Sequence, residues 1–244
     1  MKRARVIINY LNQEIKEIVK SKYIGMYIHG SYAEGTFKWE KSDIDIIVLI
    51  NNKLSVLEKE QLLDLFVNNS QECPKKGIEI AFLNIYSINI EKHPFSYEFH
   101  YSSYWYSQIE ENLWQIKTER IKYDPDLASH IMNLWTHSVV IEGPKVENIF
   151  PKIKDSEFID SIEDTLIDNV DAIMNLCRKH YYIRYGKLLS KYEGLTWAIN
   201  EFTQFSELLL HIEDLYNENK SEINIKYLES TNDFWKYLET NSNL

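Results

Sequence analysis

Cysteine is nearly absent: Cys73 and Cys177 are the only two in 244 residues. No signal peptide precedes the first amphipathic segment, so an oxidised, secreted domain is not expected and the chain reads as cytoplasmic. Long apolar runs are missing too. None approaches the roughly eighteen residues that a membrane span requires, which predicts a soluble protein with no membrane partner. The seven histidines lack the spacing of a metalloenzyme motif and are read as surface, capping or packing residues. Basic residues are in deficit, 27 Lys and Arg against 37 Asp and Glu, for a formal net charge of −10. A nucleic-acid substrate is disfavoured, because gripping a phosphate backbone relies on clustered Lys and Arg. No internal repeat or low-complexity segment stands out.

What is present points elsewhere. An acidic surplus suits a positively charged small molecule, which an acidic cleft would concentrate and orient. The length fits two modest domains better than one. Val6, Ile7, Tyr10, Leu11, Ile15, Ile18 and Val19 recur at helical spacing, and Leu57, Leu62, Leu63, Leu65 and Phe66 suggest a second amphipathic helix. Tyr23 to His29, Asp43 to Ile50 and Gly77 to Leu83 read as strands, so the order up to Leu83 is helix, strand, helix, strand, helix, strand. From about Asp124 onward the apolar spacing is helical throughout.

Within that order, Gly30-Ser31 closes the first strand and Asp43-Ile44-Asp45 opens the second. Side chains at i and i+2 of a strand share a face, so Asp43 and Asp45 present two carboxylates together. Mg²⁺ prefers hard oxygen ligands and bridges protein carboxylates to phosphates, which makes the pair a platform for a nucleoside triphosphate. Gly30 lets the backbone approach phosphates, and Ser31 offers a hydroxyl and N–H groups at a helix start. A Gly-Ser pair alone is an ordinary turn and an Asp-x-Asp an ordinary strand end. The strand, turn, helix, strand context favours the catalytic reading. In Gly77 to Leu83, Ile78, Ile80 and Phe82 alternate on one face and leave Glu79 on the other with Ala81 and Leu83. Glu79 is either a solvated edge charge or the third carboxylate of the site, and the preceding motif favours the site.

Gly30-Ser31, Asp43-Ile44-Asp45 and Glu79 together resemble the nucleotidyltransferase superfamily. Later segments resemble the aminoglycoside adenylyltransferases that modify streptomycin and spectinomycin: Tyr123-Asp124-Pro125-Asp126-Leu127-Ala128, Glu142-Gly143-Pro144 through Phe150-Pro151, and Leu189-Ser190-Lys191 with Trp197-Ala198. The resemblance implies an α+β protein, with a polymerase-beta-like mixed-sheet nucleotidyltransferase domain over 1–115. An all-α helical-bundle domain over 116–244 follows, with the active site in the cleft between them. It implies an enzyme with ATP as co-substrate and two Mg²⁺ ions, and the chain is expected to act as a monomer. Asp43 and Asp45 would bind metal, Glu79 would be the base, and Gly30, Ser31, Ser42, Arg178, Lys191 and Tyr237 would hold the nucleotide. The local pattern places Arg178 on the polar flank of a helix and Lys191 near a helix start. There the helix dipole disfavours a cation and hints at an anionic partner. Asp124-Pro125 reads as a structural N-cap and first helical residue.

The implied reaction moves AMP from ATP to a hydroxyl of a cationic aminoglycoside or aminocyclitol antibiotic, releases pyrophosphate and confers resistance. The aromatic run from Phe95 to Tyr106 either packs or forms flat walls for a drug ring. Where the family commonly has Gly-Glu-Trp, this chain has Ser102-Ser103-Tyr104, with Trp105 one residue late. That departure favours the 9-hydroxyl of spectinomycin over the 3''-hydroxyl of streptomycin, with Tyr104 and Trp105 facing the drug. Asp164, Asp168 and Asp171 match a region the family uses for drug amines, and their spacing predicts one shared helical side. Two alternatives stand beside this: a nucleotidyltransferase acting on a protein or another small molecule, and a noncatalytic nucleotide-binding module.

Overall fold

Apolar residues at every third or fourth position open the chain with helix α1 (Lys2–Val19), which buries Ile7, Ile8, Leu11 and Ile15 and leaves Val6 and Tyr10 exposed. The computed structural model describes residues 1–90, 92–103, 122–162 and 169–241. It divides into two compact units, Met1–Ser161 and Ile162–Leu244. No helix among the described residues is long and apolar enough to cross a membrane.

In the first unit the elements follow the expected order: β1 (Tyr23–His29), α2 (Gly30–Ala33), β2 (Ile44–Ile50), α3 (Val56–Asn68) and β3 (Ile78–Asn84). Ser55 and Glu58 start α3 with a reciprocal capping box. Next come α4 (Ile85–Ile90), β4 (Phe95–Tyr97), β5 (Phe99–Ser102), β6 (Lys122–Asp124), α5 (Leu127–Thr136), β7 (Val139–Glu142), α6 (Val146–Ile149) and α7 (Asp155–Asp160). Five strands form one sheet in the order β5-β3-β2-β1-β7, while β4 and β6 make a separate antiparallel ribbon. Only β2 and β3 run parallel, so the sheet is mixed. Met26, Ile28, Ile46, Val48, Ile80, Phe82, Phe99 and Tyr101 join α1 and α3 in one core cluster. Strand alternation therefore puts Asp45, Glu79, His100 and Ser102 on the opposite face.

Two expectations are corrected. The chain beyond Asp124 is not purely helical, because Val139–Glu142 forms β7 and pairs antiparallel with β1. Four mostly half-buried residues at a sheet edge carry too short a pattern to signal a strand. The domain boundary moves as well. Residues 122–161 stay with the first unit and not with the helices that follow 115, because β7 extends the sheet and α5 packs on β1.

The second unit is helical: α8 (Val170–Tyr185), α9 (Lys191–Glu201), α10 (Ser206–Asn217) and α11 (Leu228–Asn241) surround Ile173, Cys177, Leu195, Ile212 and Phe234. Gly186 ends α8 in the left-handed region (φ 64°), as a C-terminal glycine does. Ser190 and Glu193 start α9 with a second capping box. The two helices cross so tightly at Gly194 that a Cβ there would lie 2.8 Å from Arg178 Cβ.

Candidate active site

The site is assembled by strand register. On parallel neighbours β2 and β3, Asp45 lies directly opposite Glu79, and on β1 His29 lies opposite Asp45. Asp43 stands just before β2. Carboxylate oxygens of Asp43, Asp45 and Glu79 all come within 4.8 Å of one another, and all three residues are half-buried. Three hard oxygen donors at that spacing suit Mg²⁺ or a similar divalent cation, whose charge would relieve their mutual repulsion.

Gly30 has φ 59°, and a Cβ there would sit 2.0 Å from Asp45 Oδ2, so only glycine lets the turn close over that carboxylate. Beside it, Ser31 Oγ is buried with no hydrogen-bond partner among the described residues. A buried hydroxyl left that way is costly unless a ligand satisfies it, as a phosphate oxygen would. Ser42 Oγ instead accepts from the Lys38 N–H at 3.1 Å and closes the turn before Asp43.

Two functional-looking residues escaped the sequence reading. His100 is neither a surface nor a plain packing residue: its Nε2 meets Glu79 Oε1 at 3.1 Å and its Nδ1 meets Asp124 Oδ2 at 3.1 Å. Asp124 therefore does not cap α5. Its other oxygen accepts from the Asp126 N–H at 2.9 Å, and Asp126 holds the cap position. The alternation Phe99, His100, Tyr101, Ser102 was the available signal, since it sets His100 on the polar side of β5. Burial alone would lower the His100 pKa, but the bonds to Asp124 and Glu79 and their two charges outweigh it and raise it to about 9. Burial alone would raise Glu79. The His100 bond and the charges of His130, His100 and His29 outweigh it and hold Glu79 well below the usual carboxylate range. His29 and His130 lie ring to ring, 4.8 Å between centroids.

In the second unit Arg178 is buried on α8, not on an exposed flank. Lys191 is the first residue of α9, and its Nζ donates to Asp171 Oδ1 at 2.9 Å. Tyr237 on α11 packs edge-on against Phe202. Asn169 caps α8 and places Asp171 in its first turn. Asp164, Asp168, Tyr104 and Trp105 lie outside the described residues.

Residues 13–98 match the family model described as Polymerase beta, Nucleotidyltransferase, which gives the class of the first unit. Residues 148–240 match the model described as Aminoglycoside adenylyltransferase, C-terminal domain. A spectinomycin 9-adenylyltransferase of Staphylococcus aureus is 23% identical over 197 residues, spanning 76% of this chain and 74% of that protein. An aminoglycoside (3'')(9) adenylyltransferase of Klebsiella pneumoniae is 20% identical over 217 residues, spanning 83% and 81%. The fold matches a crystal structure of spectinomycin adenyltransferase AAD(9) from Enterococcus faecialis with ATP and spectinomycin. The TM-score is 0.77 at 21% identity, over 97% of this chain and 98% of that one. The chain thus carries a nucleotidyltransferase domain followed by an aminoglycoside adenylyltransferase C-terminal domain, and is an enzyme of the aminoglycoside adenylyltransferase type.

Proposed function

We propose that this adenylyltransferase transfers AMP from ATP to a hydroxyl of an aminocyclitol antibiotic, with the 9-hydroxyl of spectinomycin as acceptor and pyrophosphate as leaving group. The observation that carries the chemistry is the close set of Asp43, Asp45 and Glu79 carboxylates beside the unsatisfied Ser31 hydroxyl. Asp43 and Asp45 would hold Mg²⁺, which when bound neutralises phosphate charge and orients the reacting oxygens. Ser31 and the N–H groups around Gly30 bind the triphosphate. Glu79 accepts the proton of the attacking hydroxyl, a role that typically supplies about 10²–10⁴-fold in rate. Arg178 and Lys191 are assigned to the phosphates, Ser42 and Tyr237 to the nucleotide, and Asp168 and Asp171 to the drug amines.

The substitution of Ser102-Ser103-Tyr104 for the family's usual Gly-Glu-Trp supports spectinomycin over streptomycin, as do relatives named for spectinomycin. The test is incubation with Mg·ATP and each of spectinomycin, streptomycin, kanamycin and lincomycin, followed by product mass. A spectinomycin product heavier by one adenylyl group, AMP less a water, is expected. An AMP adduct of streptomycin alone would overturn the acceptor, and no adduct with any drug would overturn the substrate class.

A further inference from the structure

Glu79 has one carboxylate oxygen committed before any substrate arrives. Ala81 on β3 pairs with His100 on β5, so His100 stands diagonal to Glu79 on the same sheet face, within reach of a long side chain. Its Nε2 lies 3.1 Å from Glu79 Oε1. The far side of the ring is held from the other sheet: Asp124 ends β6, opposite Phe95 of β4, and its Oδ2 lies 3.1 Å from His100 Nδ1. Asp124 is fixed in turn by the Asp126 N–H on its Oδ1, 2.9 Å away. Ionised carboxylates only accept, so both ring nitrogens carry protons and donate. A half-turn of the ring would set carbon atoms against both acids, so the two bonds define one orientation.

We propose that His100, clamped by Asp124, is a positioning residue for the adenylyl transfer: it occupies Glu79 Oε1 and aims Oε2 at the acceptor hydroxyl. The proposal rests on the reading of Glu79 as the base. In the step, the acceptor O–H bond breaks and its proton bonds to Glu79 Oε2. The released oxygen electron pair forms the bond to the α-phosphorus, and the bond from that phosphorus to pyrophosphate breaks. His100 and Asp124 keep their protonation throughout. What they contribute is a Glu79 side chain with its torsions already fixed, which matters because small misplacements of a reacting group are expensive in rate.

Three variants test it: His100→Leu, His100→Gln and Asp124→Asn. Each is assayed for pyrophosphate release with Mg·ATP and the panel drug that gains AMP, and for folding by thermal unfolding. Loss of an outer partner of this kind costs about 10- to 100-fold, so His100→Leu is expected to lose that much kcat with KM for ATP within about threefold. His100→Gln retains an N–H that can reach Glu79 and is expected to recover most of the loss. A tie that served only stability would not separate Gln from Leu in kcat. Parent-like kcat in His100→Leu, or equal loss in folded Leu and Gln variants, overturns the proposal. If His100→Leu does not fold, Asp124→Asn decides: a fall in kcat at constant KM supports the clamp, and an unchanged kcat overturns it. Glu79→Gln separates the two readings, because near-normal turnover there removes the base itself. Loss in Glu79→Gln beside parent-like His100→Leu removes only the positioning role. Independently of any acceptor, the proton spectrum should contain a downfield imidazole N–H signal that His100→Leu abolishes and Asp124→Asn displaces. Its absence from the parent overturns the clamp.

Discussion

Lys191 Nζ donates to Asp171 Oδ1 at 2.9 Å, joining the first turn of α9 to the first turn of α8. Both side chains are more than a third exposed, so solvent screens the pair. Exposed ion pairs contribute about 0.2–1 kcal/mol, worth about 2–4 °C at most in a chain of this size. Asp171→Asn is therefore expected to leave the unfolding midpoint nearly unchanged while removing one anionic partner from Lys191. Calorimetric titration with Mg·ATP should find equal or tighter binding, and a large drop in midpoint would mark the pair as structural instead.

The carboxylates should separate by role. Glu79→Gln is expected to keep Mg·ATP binding and lose about 10²–10⁴-fold in turnover, the usual range for a general base. Asp45→Asn should lose Mg²⁺-dependent nucleotide binding as well. Parallel binding titrations and steady-state rates read both, and near-normal turnover by Glu79→Gln would remove it from the base role.

Gly194→Ala sets two effects against each other. Alanine gains up to about 1 kcal/mol of helix propensity. Its Cβ, however, would lie 2.8–2.9 Å from Arg178 Cβ, Cα and N, and backbone atoms cannot swing aside. Overpacking of this kind costs about 1–3 kcal/mol, so a net fall of several degrees in the unfolding midpoint is expected. The same parting of helices displaces Arg178, and nucleotide affinity should fall with it. An unchanged or raised midpoint would show that the helices have room to separate.

The His100 clamp gives stability a defined pH dependence. His100 is raised from 6.5 to about 9, so its contribution is fully present below 6.5 and is lost as pH climbs through 9. Glu79 and Asp124 are lowered, so theirs is present above the ordinary carboxylate range and is lost as pH falls through the lowered values. The unfolding midpoint of the metal-free protein should be highest between about pH 4.5 and 6.5 and decline toward pH 9. His100→Gln should flatten the alkaline decline, and a parent-like slope in that variant would assign it to other groups.

Much of the first unit was legible because its strands carry period-two patterns long enough to read. Tyr23–His29 appears as expected, and Asp43, Asp45 and Glu79 meet because Ile44 pairs with Ile78 in register. The helix start expected near Lys191 is equally plain, with Ser190 as its cap. What was missed depended on partners distant in sequence. His100 becomes informative only when β5 lies beside β3, and Asp124 only when β6 lies beside β4. Helical spacing alone sets Arg178 on a polar flank, whereas in the fold it is buried where α9 approaches closely at Gly194. β7 has a half-buried edge pattern that no local rule separates from a loop.

β7 also sets a limit on how this chain can be cut or made. Its backbone groups satisfy the outer side of β1 through Met26, Tyr27 and Ile28, more than a hundred residues earlier. During synthesis β1 leaves the ribosome long before its outer neighbour exists, and that flank stays an open template for foreign strands until residue 142 follows. A fragment ending at residue 115 would keep that flank bare permanently and would also lack Asp124. Such a piece would carry all three acids yet be prone to self-association, so a fragment meant to hold the first unit alone should extend to Ser161.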